Sequence, residues 1–287
     1  MKRPRSRKLT PMAYPIGQEY AYKQILLNMN LQLKLLLKQQ MSFHVPKMAA
    51  EATNTDLPTG EVRYDAYTGW QDRLNKVMMR IAKGMKPHTN KAIKEMLRVG
   101  PNVNEHNKAE WKKLVRSQYG VDPTKDDPVK YHSLLQNWSR NNSLLIKDIP
   151  FKTSYQIAKQ ARQALIDGTN VKDTTAAIFD IMSDRTDVSD SRAKLIARDQ
   201  VAKLTGELTK ERQLDMGVTG YIWRTVGDER VRDSHSEVDG KFFTWDNPPF
   251  ETDGNHPGED YQCRCWAEPV LPEFVAYEAS LLEEEVE

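Results

Sequence analysis

The side chains best suited to chemistry are concentrated in one stretch of the sequence. Both cysteines of the 287-residue chain and two of its six histidines fall between residues 220 and 270: His235, His256, Cys263 and Cys265. Thiolate and imidazole are preferred zinc ligands, and a Cys-x-Cys pair can supply two of them from one turn. The spacing is not that of a standard zinc finger. It fits a zinc site, a hydrogen-bonded structural cluster, or a catalytic thiol–imidazole pair that a third residue orients.

A run of alternating charge precedes the first of these histidines. Residues 228–233 read Asp-Glu-Arg-Val-Arg-Asp, and Arg264 stands between the two cysteines. Arginine presents a planar fork of donors that can pair with carboxylates or bind an anion. The run therefore indicates either a salt-bridged turn or an anion-binding site.

The two ends of the sequence carry opposite charge. The first 50 residues contain nine Lys and Arg against one acid, and the last 20 contain seven Glu and no basic residue. Such asymmetry favours charged partners at both ends. Phosphate contacts to DNA are expected from five residues of the N-terminal arm: Lys2, Arg3, Arg5, Arg7 and Lys8. No aromatic residue stands among them, so base stacking is not indicated. The alternative is a solvated arm that orders on a partner surface.

Several classes of protein are disfavoured by the sequence. Two cysteines one residue apart do not form a disulfide framework, which favours synthesis in a reducing cytoplasm. The apolar run of residues 25–37 is interrupted by Asn, Gln and Lys, so it predicts neither a secretion signal nor a membrane anchor. The glycine-loop, dinucleotide, zincin and hydrolase motifs are missing, and no small-molecule substrate is evident.

The elements that must position the cluster are mostly helical. Apolar spacing and capping residues predict helices over residues 17–43, 68–82, 91–99, 107–119, 131–147, 153–166, 170–182 and 190–216. Residues 44–67 contain Pro46, Pro58 and Gly60, which predict a linker. Short β-type runs follow at 221–225, 241–244 and 265–270. We therefore predict an α+β fold: a predominantly helical body with a small C-terminal antiparallel β cap that contains long irregular loops.

The same patterns divide the chain into four parts. We predict a basic flexible arm (1–16), a helical N-terminal region (17–149), a domain of helices followed by a small β module (150–270) and an acidic C-terminal tail (271–287). The apolar residues of the first predicted helix cover more of its surface than a single stripe. It is expected to pack in a bundle or against a partner.

Several motifs occur in series across the third part. They are residues 193–200 (AKLIARDQ), 220–223 (GYIW), 228–235 (DERVRDSH), 239–240 (DG) and 263–265 (CRC). Their order and spacing resemble the phage Mu F-like minor head proteins, also called phage head morphogenesis proteins. The family-motif cluster comprises Asp228, Arg230, Arg232, His235, Gly240 and Arg264. Where the family shows Ala-Arg-Thr-Glu, residues 197–200 of this chain are Ala-Arg-Asp-Gln, which moves the acidic position by one.

The resemblance implies a low-copy head component of a tailed phage or prophage. Such a protein is made in the cytoplasm of the bacterial host and incorporated into the virion head, in the interior near the portal. The implied partners are the portal protein, other head proteins and DNA, with a role in head assembly, DNA packaging or delivery. The resemblance implies no established reaction. The alternative function is a toxin-like or hydrolytic enzyme that uses His235 with a bound metal, or the thiol of Cys263.

Overall fold

The described residues form long helices followed by a small sheet. A computed structural model describes residues 11–53, 64–120, 123 and 128–270. The helices are α1 (Ile16–Thr53), α2 (Tyr64–Met96), α3 (Val99–Tyr119), α4 (Pro128–Asp167), α5 (Val171–Asp215) and the short α6 (Asp233–Glu237). The strands are β1 (Gly220–Arg224), β2 (Phe242–Thr244) and β3 (Trp266–Val270). The predicted α+β fold is confirmed.

The three strands lie within a residue of their predicted positions. They pair antiparallel in the order β2-β1-β3. Ile222 of β1 stands opposite Phe242 on one side and Glu268 on the other. The connection from β1 to β2 contains α6, and the connection from β2 to β3 contains a 3-10 turn at Phe250–Thr252. Neither short helix was predicted.

The helices are longer than the sequence predicted, and several predicted breaks are wrong. The linker expected at residues 44–67 is helical up to Thr53 and again from Tyr64, whereas residues 54–63 lie outside the described part. Pro46, Pro87 and Pro150 lie inside helices, although proline removes a backbone hydrogen bond. The apolar spacing continues across each of them, and the buried contacts of the flanking turns override the local signal.

The chain divides into two compact units, and α1, α4 and α5 each contribute residues to both. We call residues 22–97 and 140–196 the helical unit. We call residues 11–21, 98–139 and 197–270 the mixed unit, counting only described residues. The domain boundary predicted at residue 150 lies within α4. The predicted four-part division itself stays a prediction.

The helical unit is held together by large apolar side chains. Ten of them are essentially inaccessible to solvent: Tyr22, Leu26, Leu33, Leu37, Met41, Met48, Trp70, Leu74, Ile81 and Met96. They recur mainly at four- and seven-residue steps, which places them on one side of α1 and of α2. The buried Tyr22 hydroxyl donates to Asn142 Oδ1 at 2.7 Å, so its polar group is satisfied. None of the described helices has the length and apolarity needed to cross a membrane.

In the mixed unit, β1 is buried on both faces. Tyr221 and Trp223 point to one side, where they join a cluster with Val238, Trp245, Cys263, Cys265 and Ala267. Ile222 points to the other side and packs with Phe242 and Val270. A Cβ on Gly220 would lie 2.4 Å from the Phe242 ring, so this position requires glycine. The strands thereby hold the loop that carries both cysteines against the sheet.

Candidate functional site

The structure brings three of the four predicted metal ligands together. Helix α6 presents His235, and the loop before β3 presents Cys263 and Cys265. His235 Nδ1 lies 3.6 Å from Cys263 Sγ and 3.5 Å from Cys265 Sγ. One ligand atom from each residue lies within 4.8 Å of the other two. We call these three side chains the His/Cys triad.

Neighbouring groups fix the orientation of the triad. His235 Nε2 lies 3.4 Å from Asp260 Oδ2, on the opposite side of the ring from the sulfurs. The backbone N–H groups of Gly258 and Cys265 each donate to Cys263 Sγ at 3.4 Å. The Trp223 ring packs edge-on against the imidazole, with 5.2 Å between centroids. Ring orientation and sulfur position are therefore both set by the fold.

The charged motif residues pair with one another around the triad. Arg264 donates two hydrogen bonds to the Asp228 carboxylate, at 2.6 and 2.5 Å. Arg232 forms an ion pair with Asp260 at 3.1 Å and donates to the Tyr261 carbonyl at 2.6 Å. This pairing favours the salt-bridged turn over the anion-binding site.

Two motif positions act through the backbone. The Arg230 amide donates to Asp228 Oδ1 at 3.1 Å and helps close the turn. Gly240 has a φ of 82°, as the Asp-Gly turn signal predicts, because glycine adopts this left-handed conformation without strain. The Asp239 carboxylate in the same turn accepts from the Thr225 amide at 2.8 Å.

His256 lies outside the His/Cys triad, although the sequence grouped it with the other ligands. Its Nδ1 is 2.8 Å from the Tyr221 hydroxyl, and its ring packs against Trp245 with 4.9 Å between centroids. Its amide donates to the Glu259 carboxylate at 2.7 Å. These contacts give His256 a structural position in the core beside the sheet.

The predicted nucleic-acid residues cannot be placed. The five basic side chains of the N-terminal arm lie outside the described residues, so their contact with DNA stays a prediction.

Sequence reasoning missed the residue that anchors the cysteine loop to α5. Asp199 is buried, and its Oδ1 accepts from the Gln262 amide at 3.0 Å. Gln262 directly precedes Cys263 and has a φ of 59°, which is uncommon for a residue with a side chain. Asp199 is one of the two positions, with Gln200, at which the chain departs from the family pattern. The acid at position 199 could have identified this anchor, because a carboxylate buried on a helix requires a hydrogen-bond or ion-pair partner.

A second anchor is a close approach of backbones. A Cβ on Gly206 of α5 would lie 3.1 Å from the Pro257 carbonyl oxygen and 3.5 Å from the Gly258 Cα. Glycines at positions 206 and 258 therefore let the loop lie directly on the helix. Together with Asp199, this contact fixes both ends of residues 257–262.

The two thiols have pKa values shifted in opposite directions. Hydrogen bonds with Cys265 and His235, together with those from two backbone amides, hold the pKa of Cys263 below its ordinary value. The pKa of Cys265 is raised, because its thiol donates a hydrogen bond to Cys263 and is buried, and because the negative charge of the Cys263 thiolate lies nearby. The pair therefore releases its first proton readily and its second reluctantly. The Asp228 pKa is lowered by the hydrogen bonds from Arg264.

Two cavities adjoin the triad. The smaller has a volume of about 20 Å³, and the triad and the arginines of the charged turn line it. The larger, about 620 Å³, borders both cysteines and is lined mainly by apolar side chains of residues 11–16, 198–209 and 257–267. The first is the size of one water molecule, and the second could hold a small organic group.

Comparison with known proteins gives two findings. A family model described as "Phage Mu protein F like protein" matches residues 155–268. An "Uncharacterized protein" of Haemophilus influenzae is 30% identical over 249 residues, which is 85% of this chain and 54% of that protein. The chain thus spans about half the length of this curated relative. No solved structure matches the chain.

The family match covers the motifs that carried the resemblance from residue 193 onward. It contains Asp199, the charged turn and the whole His/Cys triad, and it ends inside β3. The predicted resemblance is confirmed: residues 155–268 of this chain match the model of the "Phage Mu protein F like protein" family.

Proposed function

We propose that this chain is a minor head protein of a tailed phage or prophage. In this role it associates with the portal and takes part in head assembly, DNA packaging or delivery. The observation that carries the proposal is the match of residues 155–268 to the Mu F-like family. We infer synthesis in the host cytoplasm and a place in the head interior near the portal.

The geometry favours a structural role for the motif residues over catalysis. His235 and Cys263 are only 2% and 3% exposed, so a substrate would not reach the imidazole or the first thiol. Asp228, Arg232 and Arg264 are paired within the same loops. A hydrolase using the His/Cys triad would need an accessible nucleophile or metal. The alternative of an enzyme therefore has less support.

Portal association is tested by co-expressing the full chain with the portal protein of the same phage or prophage. We expect the two to co-purify, and we expect the chain in mature particles by mass spectrometry. A tail protein of the same phage serves as the control bait, because the expected partners are head proteins. Failure to bind the portal, combined with absence from particles, would overturn the proposal.

DNA contact through the N-terminal arm is the second part of the proposal. Replacing the five basic residues of the arm with Gln should weaken DNA binding and flatten its salt dependence, because fewer counterions are released. The matched control removes the same charge from five exposed lysines elsewhere: Lys83, Lys86, Lys94, Lys147 and Lys172. Equal effects of the two variants would show that net charge, and not the arm, drives binding.

A further inference from the structure

We propose that the His/Cys triad is a zinc site. In this proposal His235 Nδ1 and the two sulfurs of Cys263 and Cys265 bind one Zn²⁺, and a water molecule completes the tetrahedron. The site lies in the C-terminal part of the mixed unit, residues 220–270, which we call the β module. The inference does not depend on the head-protein role, because it rests on the geometry of the described residues alone.

The distances within the triad are those of a tetrahedral zinc site. With Zn–S and Zn–N bonds of about 2.3 and 2.05 Å, a tetrahedral angle separates sulfur from nitrogen by about 3.6 Å. The observed separations from His235 Nδ1 are 3.6 Å to Cys263 Sγ and 3.5 Å to Cys265 Sγ. Both sulfurs therefore lie at the ligand–ligand separation of a tetrahedral zinc site from the same imidazole nitrogen.

Asp260 occupies the position of an orienting carboxylate. Histidines that bind metals commonly donate their second ring N–H to a carboxylate, which fixes the tautomer and raises the basicity of the ligating nitrogen. Asp260 Oδ2 lies 3.4 Å from His235 Nε2, so the nitrogen facing the sulfurs is left for the metal. Because it engages the opposite nitrogen, Asp260 is a positioning residue and not a fourth ligand.

The surroundings suit two thiolates. The amides of Gly258 and Cys265 donate to Cys263 Sγ. Arg264, which pairs with Asp228, lines the same small cavity as both cysteines. Two thiolates and one Zn²⁺ sum to zero charge, so the bound site could be buried without an unpaired ion. Thiolate and imidazole donors in a tetrahedral arrangement favour zinc among the common divalent ions.

The fourth position fits one water molecule. The described part of the chain offers a group of three ligands, and the adjoining cavity of about 20 Å³ is just large enough for one water. The cavity is small and the three ligands are 2%, 3% and 9% exposed. A zinc here would therefore act as a structural cross-link between α6 and the loop before β3.

The experiment measures metal in the full-length protein purified under reducing conditions. We expect about one zinc per chain, and X-ray absorption at the zinc edge should show two sulfurs at about 2.3 Å and two nitrogen or oxygen atoms at about 2.0 Å. Substitution with Co²⁺ should give the visible bands of a tetrahedral ion together with thiolate charge transfer. These measurements use the unmodified chain, so they do not depend on whether a variant folds.

Variants identify the ligands. Cys263→Ser and Cys265→Ser should each lower zinc content at least tenfold, and Asp260→Asn should weaken zinc affinity about 10–100-fold while leaving two sulfurs bound. His256→Gln is the matched control, because this histidine lies in the same module but outside the triad, and it should keep full zinc content. Wild-type protein without stoichiometric zinc, a metal shell without two sulfurs, or zinc loss in His256→Gln would each overturn the proposal.

Discussion

The helical unit and the β module are stabilised in different ways. The helical unit buries apolar side chains all along α1 and α2, and ten of its largest are inaccessible to solvent. The β module has three strands of three to five residues, long loops and two small apolar clusters. Its remaining order comes from specific polar contacts: the His/Cys triad, the Arg264–Asp228 pair and the Asp199–Gln262 hydrogen bond.

The two regions differ in how many contacts share the stabilisation of the fold. A core built from many similar apolar contacts loses only a fraction of its stability when one side chain is truncated. A module too small to be held by burial depends on a few contacts that have no substitute. Removing one such contact should therefore affect the whole module and spare the helical unit.

The largest effect is expected from removal of the proposed zinc. A strong chelator should abolish hydrogen-exchange protection of the amides in β1 and β3, because a structural zinc contributes directly to folding. Amides of α1 and α2 should keep their protection, and far-UV circular dichroism should retain its helical signal. Loss of protection in both regions together would show that the two regions unfold as one, and the contrast drawn above would be wrong.

Truncation in the helical core should give the next largest effect. Leu74→Ala removes a fully buried side chain and should lower the free energy of unfolding by about 2–5 kcal/mol. Urea unfolding followed by circular dichroism measures this change. Met79→Ala, on the exposed side of α2, should stay within about 0.5 kcal/mol of wild type. We expect zinc content to be unchanged in both variants.

Asp199 tests how firmly the cysteine loop is anchored. Asp199→Ala removes the acceptor of the hydrogen bond from the Gln262 amide and should cost about 1–3 kcal/mol. Asp199→Asn keeps an acceptor oxygen at this position and should cost less. Thermal unfolding monitored by tryptophan fluorescence compares the two. Equal losses would point to the negative charge, through the ion pair with Lys203, and not to the hydrogen bond.

The smallest effect concerns the pH dependence of stability at His256. Burial, with a contribution from Lys210, lowers the pKa of the ring, and the Glu259 charge opposes this shift. The unfolded chain therefore binds a proton at a higher pH than the folded chain. The stabilisation is complete above pH ~6.5 and is lost as the pH falls through the lowered pKa of the folded state.

His256→Gln should remove this part of the pH dependence. Unfolding free energies of wild type and variant, measured at several pH values, should therefore converge as the pH falls. Parallel curves for the two proteins would contradict the lowered pKa.

The helices were predictable as helices but not in their length. Apolar spacing predicts helix within α1 and α2, because a long amphipathic pattern is a strong local signal. The predicted helices end at residues 43 and 82, before Pro46 and Pro87, whereas α1 and α2 continue past both prolines. Whether a proline ends a helix depends on the contacts of the following turns, such as those of Met48 beyond Pro46. The sequence around a proline does not reveal these contacts, because they are made with residues of other helices.

The candidate site was predictable in composition but not in detail. His235 and the cysteines were singled out by residue type, and the structure groups them. His256 is also a histidine, yet it contacts Tyr221 and not the triad. The loop conformation brings Asp260 to His235 and the Gln262 amide to Asp199. That conformation depends on a positive φ at Gln262, which no glycine or asparagine marks in the sequence.

Cys263 and Cys265 are the two cysteines of this chain, so thiol chemistry can probe the triad without an introduced label. Both thiols of this chain belong to the triad, so the number of reactive thiols reports the state of this site. Both thiols are buried, so alkylation requires the β module to open, and the alkylation rate reports whether the module is intact. Quantitative alkylation followed by mass spectrometry therefore monitors the opening of this region in the purified chain.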